Sequence, residues 1–294
     1  MALFTTYNQV GKAESVSDLI SLITPSDTPM FSLMKTEKVA ARTFSFLEDT
    51  LRAGGLNAKA EGSAATMVTL INATERTNNT QILEESFQIS RTSDAIKTHG
   101  RATETAMQTG KALKTIKKDL EFSLIGVDQA AVNTNAGTPR RMASIINQMS
   151  TAVDAGSNAT DALTEAKLLT AGQTAYVNGS SPNVLMVKPA DSQIIAGFAA
   201  ASGRNREIAQ TKTLVNVVDL YVSPYGEYKV ILNRHLLATH ALLIDPTMFK
   251  TCVLRPFTRT LLGVDGDRDS HMIVGEYSCK HTNFADSVKI TGLS

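Results

Sequence analysis

The chain has no tryptophan and only two cysteines, Cys252 and Cys279, among its 294 residues. Two thiols cannot build the disulfide framework of a small secreted domain, and nothing pairs them at a metal-site spacing. Reduced, buried thiols are the expectation. No sign of charge dominates either: 29 Lys and Arg stand against 28 Asp and Glu, a net charge of +1. That balance lacks the basic excess that neutralises many phosphates, which argues against a sequence-reading DNA-binding protein. The longest apolar runs, such as 236–244, are interrupted by His240 and fall short of a membrane span. The opening residues lack the basic stretch and apolar core of a signal peptide, so synthesis and folding in the cytosol are expected.

Catalytic patterns are missing as well. The sequence holds no Gly-x-Ser-x-Gly elbow, no Gly-rich loop ending in Gly-Lys-Ser/Thr, no Gly-x-Gly-x-x-Gly and no His-Glu-x-x-His. The five histidines, His99, His235, His240, His271 and His281, are scattered, and satisfied structural roles are expected for all of them. No catalytic, cofactor-binding or metal-binding residue is therefore assigned.

What is present is a chain of 43% hydrophobic and 19% charged residues, long enough for a real core and for about two domains of 150 residues. Its first 80 residues carry almost no self-sufficient hydrophobic pattern, so their partners must lie elsewhere on the fold or on another subunit. Ser15 with Asp18 predicts a short helix through Ile23 that Pro25 stops, and Thr28 capping Pro29 predicts a second. Residues 39–80 read as short β-prone runs, 43–47 and 67–71, separated by Gly54-Gly55 and Gly62. A long two-stranded excursion fits them better than a packed domain.

The strongest helical signal covers about 101–128. Ala106, Leu113, Ile116, Leu120, Leu124 and Val127 recur at three-, four- and seven-residue steps and draw one apolar stripe. Lys111, Lys114 and Lys118 line up on a different face, where an ordinary solvated surface is the commoner fate of such a run. Beyond Ala136-Gly137-Thr138-Pro139 the chain reads as mixed: a helix over 161–176 ended by Asn178-Gly179, a buried strand at 184–187, and a helix over 189–201. Strands at 214–222 and 228–232 flank Ser223-Pro224-Tyr225-Gly226, a hairpin signal. Further strands follow from Leu242 onward, with turns expected at Asp245-Pro246, Arg255-Pro256 and Asp265-Gly266. Helices and strands do not alternate regularly, so the fold class is α+β.

One motif requires weighing as a cation site. Asp265, Asp267, Asp269 and Glu276 occupy positions 1, 3, 5 and 12 of a calcium-loop pattern. Position 6, which needs Gly, is Ser270, and both flanks read as strands, not helices. A structural turn in which Arg268 pairs with the acids is the expectation.

The order of the local motifs carries a resemblance. Thr6-Tyr7-Asn8-Gln9-Val10-Gly11-Lys12, Ser17-Asp18-Leu19-Ile20, Pro25-Ser26-Asp27-Thr28-Pro29-Met30-Phe31, Glu48-Asp49-Thr50-Leu51 and Asn57-Ala58-Lys59-Ala60-Glu61-Gly62 come first. Gln81-Ile82, Ile89-Ser90-Arg91-Thr92, His99-Gly100, Ala136-Gly137-Thr138, Ser223-Pro224-Tyr225-Gly226, Asn233-Arg234, Leu254-Arg255-Pro256, Gly266-Asp267 and Gly275-Glu276 follow. Nearly end to end, the chain resembles the major capsid proteins of tailed bacteriophages that share the Hong Kong 97 fold. It departs from them where a Trp is expected before the Asp-x-Leu element and Phe46-Leu47 stands instead.

The resemblance implies an N-terminal arm (1–34), an extended loop lying across a neighbour (35–80), and a peripheral domain (81–145) whose spine helix is the segment near 101–128. It further implies an axial domain (146–240) and C-terminal strands (241–294) that return to the peripheral domain. The implied function is a structural shell protein that assembles with itself into hexamers and pentamers of an icosahedral head holding double-stranded DNA in the virion. Its assembly is expected in the host bacterial cytoplasm with a separate scaffolding protein, a portal and a decoration protein as candidate partners, and with no membrane or cofactor. Arg42, Glu48, Asp49, Arg52, Lys59 and Glu61 are the implied inter-subunit contacts, and Lys111, Lys114 and Lys118 the implied DNA-proximal residues. A nanocompartment shell of the same fold enclosing an enzyme, and a cytosolic hydrolase with an unrecognised nucleophile, are the alternatives.

Overall fold

The computed structural model describes residues 27–96, 103–134, 137–154, 161–201, 220–263 and 266–293. The helix expected from Ser15 to Ile23, His99-Gly100, Arg101, Ala136, Asp265 and the first part of the 214–222 strand lie outside the described residues. In chain order the elements are α1 (Pro29–Leu33), β1 (Lys35–Lys38), β2 (Thr43–Glu48), β3 (Thr74–Asn79), β4 (Gln81–Ser90), α2 (Arg91–Ala95) and α3 (Glu104–Glu121). A π-helical turn (Phe122–Gly126) extends α3, followed by α4 (Ile145–Gln148), β5 (Thr151–Asp154), α5 (Glu165–Val177), β6 (Val184–Val187) and α6 (Pro189–Ala201). The rest comprises β7 (Leu220–Ser223), β8 (Gly226–Leu232), β9 (Ala241–Ile244), a 3-10 turn (Pro246–Met248), β10 (Phe249–Leu261), β11 (Arg268–His281) and β12 (Val288–Thr291).

The strands form a four-stranded sheet in the order β1-β10-β11-β4, a six-stranded sheet in the order β5-β12-β9-β6-β8-β7, and the separate pair β2-β3. Residues 241–294 are thus divided between the two larger sheets instead of returning to one place. Both connections are short: the chain leaves the six-stranded sheet after β9 and re-enters it at β12. α3 lies against the four-stranded sheet, with Ile116, Leu120 and Leu124 fully buried beside Leu83, Ile273 and Tyr277. The stripe is displaced from the one the sequence predicts. Ala112 is buried, whereas Ala106 is exposed and Leu113 and Val127 are half-buried.

The six-stranded sheet is apolar on both faces at its centre, which is why β6 and β9 contain no polar residue. Leu185, Val187, Ala241 and Leu243 join α5 and α6 in one core, while Val184, Met186, Leu242 and Ile244 belong to the core under α3. Central strands covered on both sides read as continuous hydrophobic runs.

α5 is capped by Thr164, whose hydroxyl accepts from the Lys167 N–H, and ends before Gly179 at φ +80, a left-handed conformation that favours glycine. α1 differs from expectation. Pro29 does sit at its start, but the Thr28 side chain makes no cap. The buried Glu121 carboxylate at the end of α3 takes that role, accepting from the Met30 N–H at 2.8 Å and the Phe31 N–H at 2.9 Å.

Arg255-Pro256 is not a turn. It lies inside β10 where the register against β11 shifts twice, the position at which a strand tolerates a residue without an N–H. The irregularity brings Phe257 over Gly275, and Phe257 stacks on Tyr277 with ring centroids 4.4 Å apart. A Cβ on residue 275 would stand 2.5 Å from the Phe257 ring. Gly275→Ala is accordingly expected to cost about 1–3 kcal/mol in chemical denaturation, because the added methyl overpacks this contact. The double variant Gly275→Ala with Phe257→Ala should cost less than the sum of the single changes, and strict additivity would show that the ring is not the reason for the glycine.

Candidate assembly surface

Between β2 and β3 the chain projects a 25-residue excursion, residues 49–73, in which every residue is exposed and none belongs to a strand. The ladder of β2 with β3 runs from Thr43 opposite Asn79 to Glu48 opposite Thr74 and stops there. The run 67–71, β-prone by sequence, is not a strand: it has no partner to complete its backbone hydrogen bonds. Leu51 (97%), Leu56 (106%), Met67 (89%) and Leu70 (87%) are almost wholly in solvent. So many large apolar side chains exposed within one 25-residue segment mark an interaction surface.

The root of this arm is held in quite another way. Asn78 is buried, and its amide donates to the Cys279 carbonyl at 2.6 Å while its oxygen accepts from the Ala143 and Asn79 N–H groups at 2.8 Å each. Ser278 donates to the Asn79 carbonyl at 2.7 Å, and Thr80 donates its N–H to the Arg42 carbonyl at 2.7 Å. Glu276, also buried, accepts from the Thr80 hydroxyl at 2.7 Å, from Arg140, and from Arg255 at 3.1 Å. Arg140 donates in addition to the Thr80 carbonyl at 2.8 Å.

Aromatic side chains complete the root. Phe46, standing where the resemblance leads one to expect a Trp nearby, is buried with its ring 6.1 Å from Phe284, and Lys280 lies 5.3 Å from the Phe46 centroid. Arg76 sits 4.7 Å over Phe284 and forms an ion pair with Glu48 at 2.8 Å. Phe284 stacks in turn on His281, which stacks on Phe249 at 4.1 Å.

The six residues that the resemblance implies as inter-subunit contacts fall into two groups. Glu48 is engaged within its own chain, accepting from Arg76 and from the Phe284 N–H at 3.0 Å. Arg42, Asp49, Arg52, Lys59 and Glu61 are exposed, and among the described residues none of them forms an ion pair. Arg52 and Lys59 reach only the Ala53 carbonyl and the Thr66 hydroxyl. On α3, Lys111 and Lys114 are exposed and Lys118 is half-buried, with Lys117 a further exposed cation that the sequence reading did not single out. Arg259 reaches this helix from β10, donating to the Thr109 hydroxyl at 3.3 Å.

The acidic turn does not form the calcium loop. Asp269 pairs with Arg91 at 3.1 Å, and Glu276 lies seven residues further along β11 in its pair of arginines. At about 3.3 Å per strand residue these carboxylates are about 23 Å apart, too far to share an ion. Among the histidines, His235 and His240 lie in the turn region after β8, while His271 and His281 are buried in β11.

The chain is thus an arm anchored by buried polar groups on a body of two mixed sheets with a long helix. Residues 3–294 match the model of the SU10 major capsid protein family. The chain belongs to this family. It is 27% identical to the major capsid protein of Escherichia phage Phieco32 across 98% of this chain and 97% of that one. Its fold is similar to the capsid of cyanophage A-1(L), with a TM-score of 0.70 at 12% identity over 98% of each chain. It is also similar to the SrpI encapsulin of Synechococcus elongatus PCC 7942, with a TM-score of 0.61 at 9% identity over 100% of this chain and 97% of that one. The capsid subunit is therefore a structural protein of the virion with the Hong Kong 97-type α+β fold, and not an enzyme.

His281 makes the root sensitive to acid. Burial lowers its pKa from 6.5 to about 4, so the unfolded chain takes up a proton in this range and the folded capsid subunit does not. The associated stability, about 3 kcal/mol, is present above pH 6.5 and is lost as the pH falls from 6.5 to 4. Burial raises the pKa values of Glu121, Asp191 and Asp286, which act in the opposite direction. The difference between wild type and His281→Phe isolates the histidine: the variant should lose less stability in urea denaturation between pH 7 and pH 4.5, and identical pH slopes would contradict this origin.

Proposed function

We propose that the subunit assembles into hexamers and pentamers of an icosahedral head around double-stranded DNA, and that residues 49–73 carry the contact with a neighbouring copy. The observation that supports this most directly is the contrast between a buried root tied down by hydrogen bonds and ion pairs and an arm whose large apolar side chains stand in solvent. Ordering such a segment costs about 1–2 kcal/mol of backbone entropy per residue, which only a surface outside the chain can offset. Arg42, Asp49, Arg52, Lys59 and Glu61 then set register against complementary charges, and they contribute less to affinity than the apolar residues do. Several modest contacts per subunit become cooperative once the lattice closes.

The same reading assigns 1–34 to the N-terminal arm, 35–80 to the extended loop and 81–145 to the peripheral domain. It assigns 146–240 to the axial domain, with 241–294 shared between the last two by way of β9 to β12. A separate scaffolding protein, a portal and a decoration protein are the proposed further partners, and assembly is proposed to occur in the host bacterial cytoplasm. Lys111, Lys114 and Lys118, with Lys117, face the packaged DNA in this scheme. The likeness of fold to an encapsulin favours a second reading, a shell around protein cargo, and nuclease-protected DNA in native particles separates the two.

Replacing residues 51–65 by a short Gly-Ser turn should give a soluble subunit with near-normal far-UV circular dichroism that no longer forms stable shells in negative-stain micrographs. Shells of normal yield and melting temperature would show the arm to be dispensable.

The lysines are tested separately. If they meet DNA, the contact is with phosphate, independent of sequence and weakened by salt. Changing Lys111, Lys114 and Lys118 together to Gln should leave shell formation intact and reduce DNA retention, with the difference from wild type largest at low salt and shrinking as salt rises. Unchanged retention at low and high salt would return these residues to an ordinary solvated surface.

A further inference from the structure

The four-stranded sheet has an edge that its own chain leaves open. β1 pairs with β10 only from Lys250 to Val253, and the Val39 N–H donates to the Val253 carbonyl just beyond. From there β10 continues to Leu261 with β11 on one side and, among the described residues, no strand on the other. The first part of this stretch is protected by Pro256 and by the two register shifts, features that discourage a further strand. Residues 258–262 have neither. They read Thr-Arg-Thr-Leu-Leu, all are exposed, and Leu261 (58%) and Leu262 (37%) put apolar surface into solvent.

The ladder with β11 fixes which backbone groups are spare. Thr258, Arg259, Thr260 and Leu261 stand opposite Val274, Ile273, Met272 and His271, and the Leu262 N–H donates to the Ser270 carbonyl at 2.8 Å. Hydrogen-bonded pairs alternate along an antiparallel ladder, so Thr258 and Thr260 also bond to β11, and the N–H and carbonyl groups of Arg259 and Leu261 point away from it. The arm offers the complement. Met67-Val68-Thr69-Leu70-Ile71 is β-prone, uncharged and exposed throughout, and it belongs to no strand of its own chain. Five residues that lack a partner strand thus match five residues of open edge. The other outer edges of the two larger sheets fit less well. β1, β5 and β7 are four residues long, and β4 carries Glu84 and Glu85 in its middle, charges that deter pairing.

We propose that residues 67–71 of one subunit add as a strand to the open edge 258–262 of β10 in a second copy, with Thr69 beside Thr260. The inference rests on the reading that 49–73 contacts a neighbouring copy, and it names the surface that receives the arm. Strand addition of this kind takes its affinity from main-chain hydrogen bonds and its specificity from alternate side chains. It gives the backbone of 67–71 the partner it lacks, covers Leu261, and continues the four-stranded sheet across the subunit boundary. Thr69 and Thr260 are the centres of the two segments, so they meet whichever way the added strand runs.

The test uses the full-length chain. Leu261→Pro removes an N–H that points away from β11, so the subunit's own ladder loses no hydrogen bond while the added strand loses one. The variant should keep the far-UV circular dichroism and melting temperature of the free wild-type subunit and lose stable shells in negative-stain micrographs. Leu261→Ala, which retains the N–H, should still form them. A disulfide reads the register independently. Cys252 and Cys279 are buried, so Thr69→Cys and Thr260→Cys introduce exposed thiols into a chain whose own are covered. Particles coassembled from these two single variants should give an oxidised dimer on non-reducing gels, and particles of either variant alone should not. Normal shells from Leu261→Pro, an equal loss of shells in Leu261→Ala, or absence of the mixed dimer overturns the proposal; should Leu261→Pro fail to fold, the cross-link decides. If the Gly-Ser replacement of 51–65 still abolishes shells in that event, the arm keeps its role and meets a different surface. Normal shells from the replacement itself would remove the underlying reading as well.

Discussion

Asn78 is a neutral side chain buried in the body of the subunit with all its hydrogen-bonding capacity used. Two amide hydrogens go to the Cys279 carbonyl at 2.6 Å and the Ala143 carbonyl at 3.4 Å, and the oxygen accepts from two backbone N–H groups. The three partners belong to β3 itself, to β11 and to the segment leading into α4, so one side chain fixes the end of the arm to both the sheet and the helix layer. A two-stranded ribbon such as β2-β3 is marginal on its own. Its stability has to come from what its base is tied to.

The other contacts at the root extend the same constraint. Glu276 gathers Thr80, Arg140 and Arg255 around one buried carboxylate, and Phe46, Phe284, His281 and Phe249 make a continuous aromatic column from the ribbon into the core. A buried charge with partners missing would be costly, and a column with one ring removed would leave a cavity, so the root has few intermediate states available to it. Past Glu48 and Thr74 there is no such connection. Local stability therefore falls steeply along a few residues, from the global value at the root to nearly nothing in the arm.

Much of the body was legible in the sequence because its elements are periodic and locally capped. The long helix, the helix ended by Asn178-Gly179, the buried strand Val184–Val187 and the hairpin at Ser223–Gly226 all follow from pattern and punctuation. What escaped the sequence depends on contacts between residues far apart. Glu121, which no local pattern singles out, is fully buried and caps a helix 91 residues earlier. Asn78-Asn79-Thr80 carries no local signal that singles it out, yet it is the anchor of the arm. Arg255-Pro256 reads as a turn because proline usually ends a strand, and only the facing Gly275 makes room for the bulge that holds it. Residues 67–71 have the composition of a strand and no partner, since strand formation requires a second backbone and local propensity cannot supply one.

The two buried glutamates show how the chain combines a fixed body with an exposed arm. Glu121 is satisfied by N–H groups of Met30 and Phe31 and by the Asn233 amide at 2.6 Å, all neutral donors, and burial raises its pKa. Glu276 is satisfied largely by two guanidinium groups. The first ties the segment entering the body to α3 and to the end of β8, and the second ties the segment leaving the arm to β11. Between these two fixed points residues 49–73, past the β2-β3 ladder, lie in solvent. A net charge of +1 gives such a subunit little electrostatic protection against association, and an arm bearing Leu51, Leu56, Met67 and Leu70 in solvent promotes it. Association that is directed by a rigid root closes into a finite lattice, because the root presents the arm at one angle; the same apolar residues on a floppy root would bind without a defined geometry.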